Sequence, residues 1–270
     1  MIASTIRAAV LAGGIALAPL GALADTVAVT IPDNNLTGYV SALLTKALGD
    51  AGHDLQIEKA DSDLTVQRMM KMLEDGQGID LIWRGEDAAL KEQFLEVNVN
   101  LTNGLKGYRV LFVRPDDKEA YADVANLDDF KAKGTIGGFG KNWNDVRIWA
   151  KNGLPTDETD GKWNPTIYKK LAAGGRGVDY FSRGITEIAV EAPQHPELAV
   201  EPHLGLVYDN DFRLYVSKTN PDLHKVLTDA LTAAKESGAM LALLKETYPA
   251  VYDASQLNID GRKVINLEMP

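Results

Sequence analysis

The segment Gly78-Ile79-Asp80-Leu81-Ile82-Trp83-Arg84-Gly85 returns 99 residues later as Gly177-Val178-Asp179-Tyr180-Phe181-Ser182-Arg183-Gly184. In both places an amphipathic run with apolar residues at helical spacing (Val66, Met69, Met70 and Leu73; then Ile167 and Leu171) ends in glycine. An aspartate follows, then an apolar stretch of strand length, then Arg-Gly. Each copy predicts helix, turn and strand, with an arginine at the carboxyl end of the strand. Ligands of open α/β sheets sit outside those carboxyl ends. Two such units are therefore expected to form two lobes, with Arg84 and Arg183 facing one cleft. The alternative is a coincidence of two surface arginines.

The first 24 residues read as an export leader. Arg7 supplies a positive charge, Ala8 to Ala18 form an unbroken apolar and small run, and Pro19 and Gly21 break it. Ala22-Leu23-Ala24 then makes a small-x-small site ahead of Asp25. The break leaves too short a run for a membrane anchor, and no cysteine is present for a lipid anchor. The expectation is a periplasmic protein cleaved after Ala24. Absence of cysteine also removes disulfides, thiolate catalysis and thiolate zinc sites. The chain is acidic, with a net charge of −10 and no run of Lys or Arg, so nucleic acid and anionic membranes are poor partners.

Along the chain, Val27 to Ile31 is a strand closed by Pro32-Asp33-Asn34-Asn35. Val40, Leu43, Leu44, Ala47 and Leu48 then mark a helix. Leu55 to Glu58 and Ile79 to Trp83 are strands around a helix at Leu64 to Glu74, an alternation that builds a parallel sheet flanked by helices. Tyr108 to Arg114 reads as a strand crossing into a second lobe, and Tyr208 to Asp211 as the return. The expected division is a leader at 1–24, one lobe from 25–113 and 209–270, and a second from 114–208. Helices follow at Leu127 to Lys133 and Asp145 to Asn152, then across Pro221 to Tyr248 with Gly238 between two stripes. The tail from Gly261 to Leu267 is a last strand.

This order of elements resembles the type II periplasmic solute-binding proteins, and specifically extracellular solute-binding family 3, which includes the amino-acid receptors of ABC transporters. Leu73 to Asp80 matches the family's helix-Leu-x-x-Gly, Asp, strand pattern. Asn220-Pro221 through Gly238 to Tyr248 matches its terminal helices. Segments of a less characterised branch stand at Gly138 to Asp145 and Asp179 to Gly184. The family's Ser/Thr-rich loop and carboxylate-holding arginine have no plain counterpart around Asn98 to Tyr108. The resemblance implies an α/β fold of two lobes, each a mostly parallel sheet flanked by helices, with the ligand between them. It also implies a monomer that binds a small amino acid or organic acid and delivers it to a permease or sensor.

Candidate ligand contacts gather at strand ends. Gly140, Lys141, Asn142, Trp143, Asn144 and Asp145 form a strand-to-helix turn whose backbone N–H groups suit an anion. The turn departs from a phosphate loop at Thr135 and Asn142. The same residues also read as an ordinary N-capped turn, and Trp143 either closes over a ligand or packs. Arg84 and Arg183 can each grip a carboxylate in bidentate fashion. For Arg183 the competing reading is an ion pair with Glu187, and Glu187 can instead meet a cationic group of the ligand. Asn35 and Tyr39 follow the first strand, in a loop that faces the cleft in this fold, and Asn34 beside them suits turn chemistry.

Catalysis has little support. The four histidines are scattered and no triad spacing appears, so no cofactor, metal or catalytic residue is expected. The alternative function is an exported dehydratase-like enzyme on the same scaffold, with Glu187 as its acid.

Overall fold

The computed structural model describes residues 25–270 apart from 62 and 176. The expected leader, residues 1–24, lies outside the described residues. The strands form a two-stranded, a three-stranded and a seven-stranded sheet, and the two small ones, joined edge to edge through Asp80 and Thr30, make up the first sheet of the fold while the seven-stranded one is the second. The first starts with β1 (Thr26–Ile31), α1 (Thr37–Asp50) and β2 (Asp54–Lys59), with β1 and β2 parallel and Thr26 opposite Asp54. The apolar stripe of α1, including Val40, Leu43, Leu44 and Leu48, is buried. Next come α2 (Val66–Glu74), capped by the Thr65 hydroxyl, then β3 (Leu81–Gly85), α3 (Ala88–Gln93) and β4 (Leu95–Val97).

β5 (Tyr108–Val113), α4 (Leu127–Ala132), β6 (Gly137–Gly140), α5 (Asn144–Lys151), β7 (Thr156–Thr159), α6 (Trp163–Ala173), β8 (Tyr180–Gly184) and α7 (Ile185–Glu191) build the second sheet and its helices. β9 (Ala199–Val200) and β10 (Leu204–Val207) extend it, and β11 (Phe212–Val216) returns to the first sheet between β3 and β4, antiparallel to both. α8 (Pro221–Glu236), α9 (Ala239–Thr247) and α10 (Pro249–Tyr252) follow, with α8 and α9 packed on α1. β12 (Lys263–Asn266) ends the second sheet, whose order is β12-β10-β5-β8-β6-β7 with β9 on β5. Only β5 runs against its neighbours there, so the sheet is mostly parallel.

The repeated aspartates have one structural job. Asp80 receives the Thr30 backbone N–H on its carboxylate at 2.6 Å and returns its own N–H to the Thr30 carbonyl at 3.0 Å. Asp179 does the same with Ile136, at 2.9 and 2.8 Å. Each aspartate sits just before its strand and seats it beside the strand of the preceding unit, β3 on β1 and β8 on β6.

Two segments depart from the sequence reading. β5 was expected to close the first lobe and the C-terminal strand to join it, but both pair in the second sheet. All six β5 residues are buried, so the strand needs a neighbour on each edge, which β8 and β10 supply. β12 runs parallel to β10, Leu204 opposite Lys263. The first crossing between sheets is therefore Thr102 to Gly107, ahead of β5 rather than at Val113-Arg114. The return stays at Tyr208 to Asp211. Gly107 permits the two crossings to touch, since a Cβ there would overlap the Tyr208 carbonyl.

Candidate functional site

A cavity of about 600 Å³ lies between the two sheets, with the crossings at its floor. Asp211 staples them: its carboxylate accepts the Thr102 hydroxyl at 2.7 Å, the Thr102 N–H at 3.1 Å and the Gly104 N–H at 2.6 Å.

From the first residues of β5, Arg109 enters the cavity wall. Its Nε donates to Asp145 Oδ1 at 2.8 Å, its Nη2 bonds the same oxygen, and its Nη1 lies 3.4 Å from Glu187 Oε2. Asp145, in the first turn of α5, also accepts the Tyr208 hydroxyl at 2.8 Å. Burial raises the Tyr208 hydroxyl far above its ordinary pKa, so it remains a donor. Arg183, at the end of β8, is held bidentate by Glu191, at 2.8 and 2.5 Å, with Glu187 Oε1 at 3.4 Å. Its guanidinium lies 5.0 Å from the Trp163 ring centroid, 5.4 Å from Phe181 and 5.5 Å from Trp143. Glu187 thus stands between the two arginines while capping α7 through the Gly184 N–H at 2.8 Å.

Of the sequence candidates, Asn35, Asn144, Asp145, Arg183 and Glu187 line this cavity together. The others are placed elsewhere. Arg84 is exposed at the end of β3, outside the lining, so the expected pair of arginines across one cleft is replaced by Arg183 and Arg109 from the same sheet. Arg183's main partner is Glu191, eight residues on, rather than Glu187. Tyr39 is buried behind the wall with its hydroxyl on the Leu101 carbonyl at 2.6 Å. Lys141 turns to Asp160 at 2.8 Å, and Asn142 takes a left-handed φ of 65° in the turn. Trp143 packs against Trp163 at 5.0 Å between centroids, over Gly140, whose missing Cβ leaves room for the indole.

The sequence reading missed Lys106, Arg109, Glu191, Tyr208, Asn210 and Tyr248, all in the lining. Two had signals. Arg109 is an arginine inside an otherwise apolar strand, and Glu191 follows Arg183 and Glu187 at the same spacing of four.

No described family and no curated protein matches the sequence. Solved structures do share the architecture. YckB of Bacillus subtilis superposes with a TM-score of 0.55 at 17% identity, over 88% of this chain and 95% of that one. An amino acid ABC transporter substrate-binding protein from Streptococcus pneumoniae, bound to L-arginine, gives a TM-score of 0.51 at 14% identity, covering 83% and 94% of the two chains. An ancestral cyclohexadienyl dehydratase gives 0.51 at 14% identity, over 82% and 91%. The chain has the two-lobed fold of periplasmic binding proteins. Among the described residues no helix is long and apolar enough to cross a membrane.

Proposed function

We propose that the chain is an exported solute-binding protein that closes its two lobes on a small, polar, carboxylate-bearing molecule and presents it to an ABC-type permease or a sensor. The lobes meet at the paired crossings, Thr102 to Gly107 and Tyr208 to Asp211. The observation that carries this reading is the cleft itself: a cavity of about 600 Å³ between two sheets, floored by two crossings and lined by fixed charges. A two-segment connection bends without unfolding either lobe, and a concave site with a few oriented polar groups suits a small ligand.

A thermal-shift panel of L-arginine, L-glutamine, other amino acids, dicarboxylates and small amines tests it. A ligand present at about 100 times its Kd stabilises by about 2.7 kcal/mol. A panel in which no member shifts the transition counts against the reading.

One observation favours a second reading. Glu187 is half-exposed in the cleft, and the fold is shared with an ancestral dehydratase. An exported dehydratase-like enzyme with Glu187 as acid consumes its ligand, whereas a binding protein returns it unchanged at a fixed stoichiometry.

A further inference from the structure

The cations of the cleft wall are not equally engaged. Arg109 is held by Asp145 and Arg183 by Glu191, each guanidinium in direct contact with a carboxylate. Lys106, at the first crossing, meets no carboxylate within ion-pair distance among the described residues. Its amine donates to Asn210 Oδ1 at 2.7 Å and stands 4.6 Å from the Phe212 ring centroid. Both contacts suit a charged ammonium, the amide oxygen as an acceptor and the ring face through its quadrupole. Farther off, Arg84 and Arg109 oppose Asp211 and Asp145, two charges of each sign. The ammonium is left without a counter-charge of its own.

Donors are left over as well. An ammonium has three, and only one of them goes to Asn210. Lysine only donates, so Asn210 turns its oxygen to the amine, and its own NH2 is left with no acceptor among the described residues. The two side chains come from different crossings and both line the cavity. The Lys106 backbone N–H reaches the Thr102 hydroxyl at 3.1 Å, and that hydroxyl is itself held by Asp211. Gly85, the glycine of the first Arg-Gly, leaves the space the pair occupies. A Cβ there would lie 2.7 Å from the Lys106 nitrogen and 3.2 Å from Asn210 Oδ1.

We propose that Lys106 and Asn210 together form the seat for the solute's carboxylate, one oxygen taking the ammonium and the other the amide N–H. The seat supplies the lysine with its missing counter-charge and both residues with acceptors. Neither cavity arginine can do this without giving up Asp145 or Glu191. A neutral amide in the same place leaves the ammonium uncompensated, so the seat selects an acid over its amide. Each crossing contributes one donor, so the bound carboxylate ties the two crossings together on the cleft side, as Asp211 does from within the chain. The proposal rests on the reading of the cleft as a solute site and names the residues that fix the solute's charge.

Sodium acetate is the probe and acetamide its uncharged counterpart, both against sodium chloride at matched ionic strength. NMR of the nitrogen-labelled chain follows the Asn210 NH2 and the backbone N–H groups of Lys106 and Gly107. Acetate should move these signals along a saturating curve over a range reaching about 100 mM, and acetamide should not. Lys106→Met keeps the stem without the charge and should weaken acetate by about tenfold or more. Asn210→Asp still accepts from the amine but brings its own carboxylate. It should abolish the acetate curve at the backbone signals without lowering the melting temperature, and it decides alone should Lys106→Met fail to fold. Signals that acetate leaves unmoved, or moves equally with acetamide or in either variant, overturn the seat. A seat that titrates while no member of the ligand panel shifts the melting transition stands, and the solute reading falls. A panel ligand that binds Lys106→Met as tightly as wild type overturns the seat and leaves the solute reading intact.

Discussion

Asp145 shows how much one carboxylate can hold at this site. It takes two hydrogen bonds from Arg109 and one from Tyr208, all away from water. Removing one partner of a buried ion pair strands the other charge, which costs about 3–5 kcal/mol. Asp145→Asn should therefore lower the free energy of urea unfolding by about that amount; a loss below 1 kcal/mol would mean that Glu187 alone satisfies Arg109. Arg84 and Arg183 should part in the same assay. Arg84→Ala touches an exposed side chain and should fall within about 0.5 kcal/mol of wild type. Arg183→Ala leaves Glu191 without its bidentate partner and should melt clearly lower without any ligand. Glu191 also carries a pH signature. Burial alone raises its carboxyl, but the double hydrogen bond from Arg183 outweighs burial and holds it below the ordinary range. A depressed native-state value contributes stability above the unfolded pKa of about 4.3 and loses it as pH falls through the native value. Glu191→Gln should flatten the acid limb of a stability–pH curve below about pH 4.3, and an unchanged limb would assign it to other carboxylates.

At the scale of elements, the repeat is a strand-seating device twice over. Asp80 and Asp179 each close a reciprocal pair with the neighbouring strand, Thr30 in one sheet and Ile136 in the other. Replacing either by alanine leaves a part-buried N–H without its acceptor, at about 1–3 kcal/mol. The two sites share no partner, so the losses should add in the double variant to within about 0.5 kcal/mol. Equal single losses with additivity would establish the shared role in denaturant titrations; a loss at only one site would make the repeat coincidental at the other.

For the whole molecule the prediction concerns motion. Both crossings run side by side and are tied by Asp211, so bending at Thr102 to Gly107 and Tyr208 to Asp211 moves one sheet relative to the other. Small-angle scattering with a ligand found by the thermal-shift panel should show a smaller radius of gyration than the ligand-free chain. Asp211→Ala, which cuts the staple, should broaden the ligand-free particle. An unchanged radius at saturation argues that the cleft binds without closing.

Local pattern was enough for many of the elements, though not for the short α3, β4 and β7. The apolar stripe of α1, the helix-turn-strand echo around Asp80 and Asp179, and the paired apolar segments around Tyr208 to Asp211 are periodicities of neighbouring residues, set by backbone geometry alone. Five cavity-lining residues were also readable, because Asn35, Asn144, Asp145, Arg183 and Glu187 sit at or just beyond strand ends, where α/β folds open their clefts. Sheet membership was not readable. Every strand edge offers the same N–H and C=O groups, so nothing local assigns β5 or β12 to one sheet over the other; β5 was decided by which buried edges needed neighbours. The state of each cation was likewise settled in three dimensions. Arg109 meets a carboxylate 36 residues away and Lys106 an amide 104 residues away. Chain separation says nothing about such contacts, whereas the burial and charge they create determine which cation meets a carboxylate and which meets an amide.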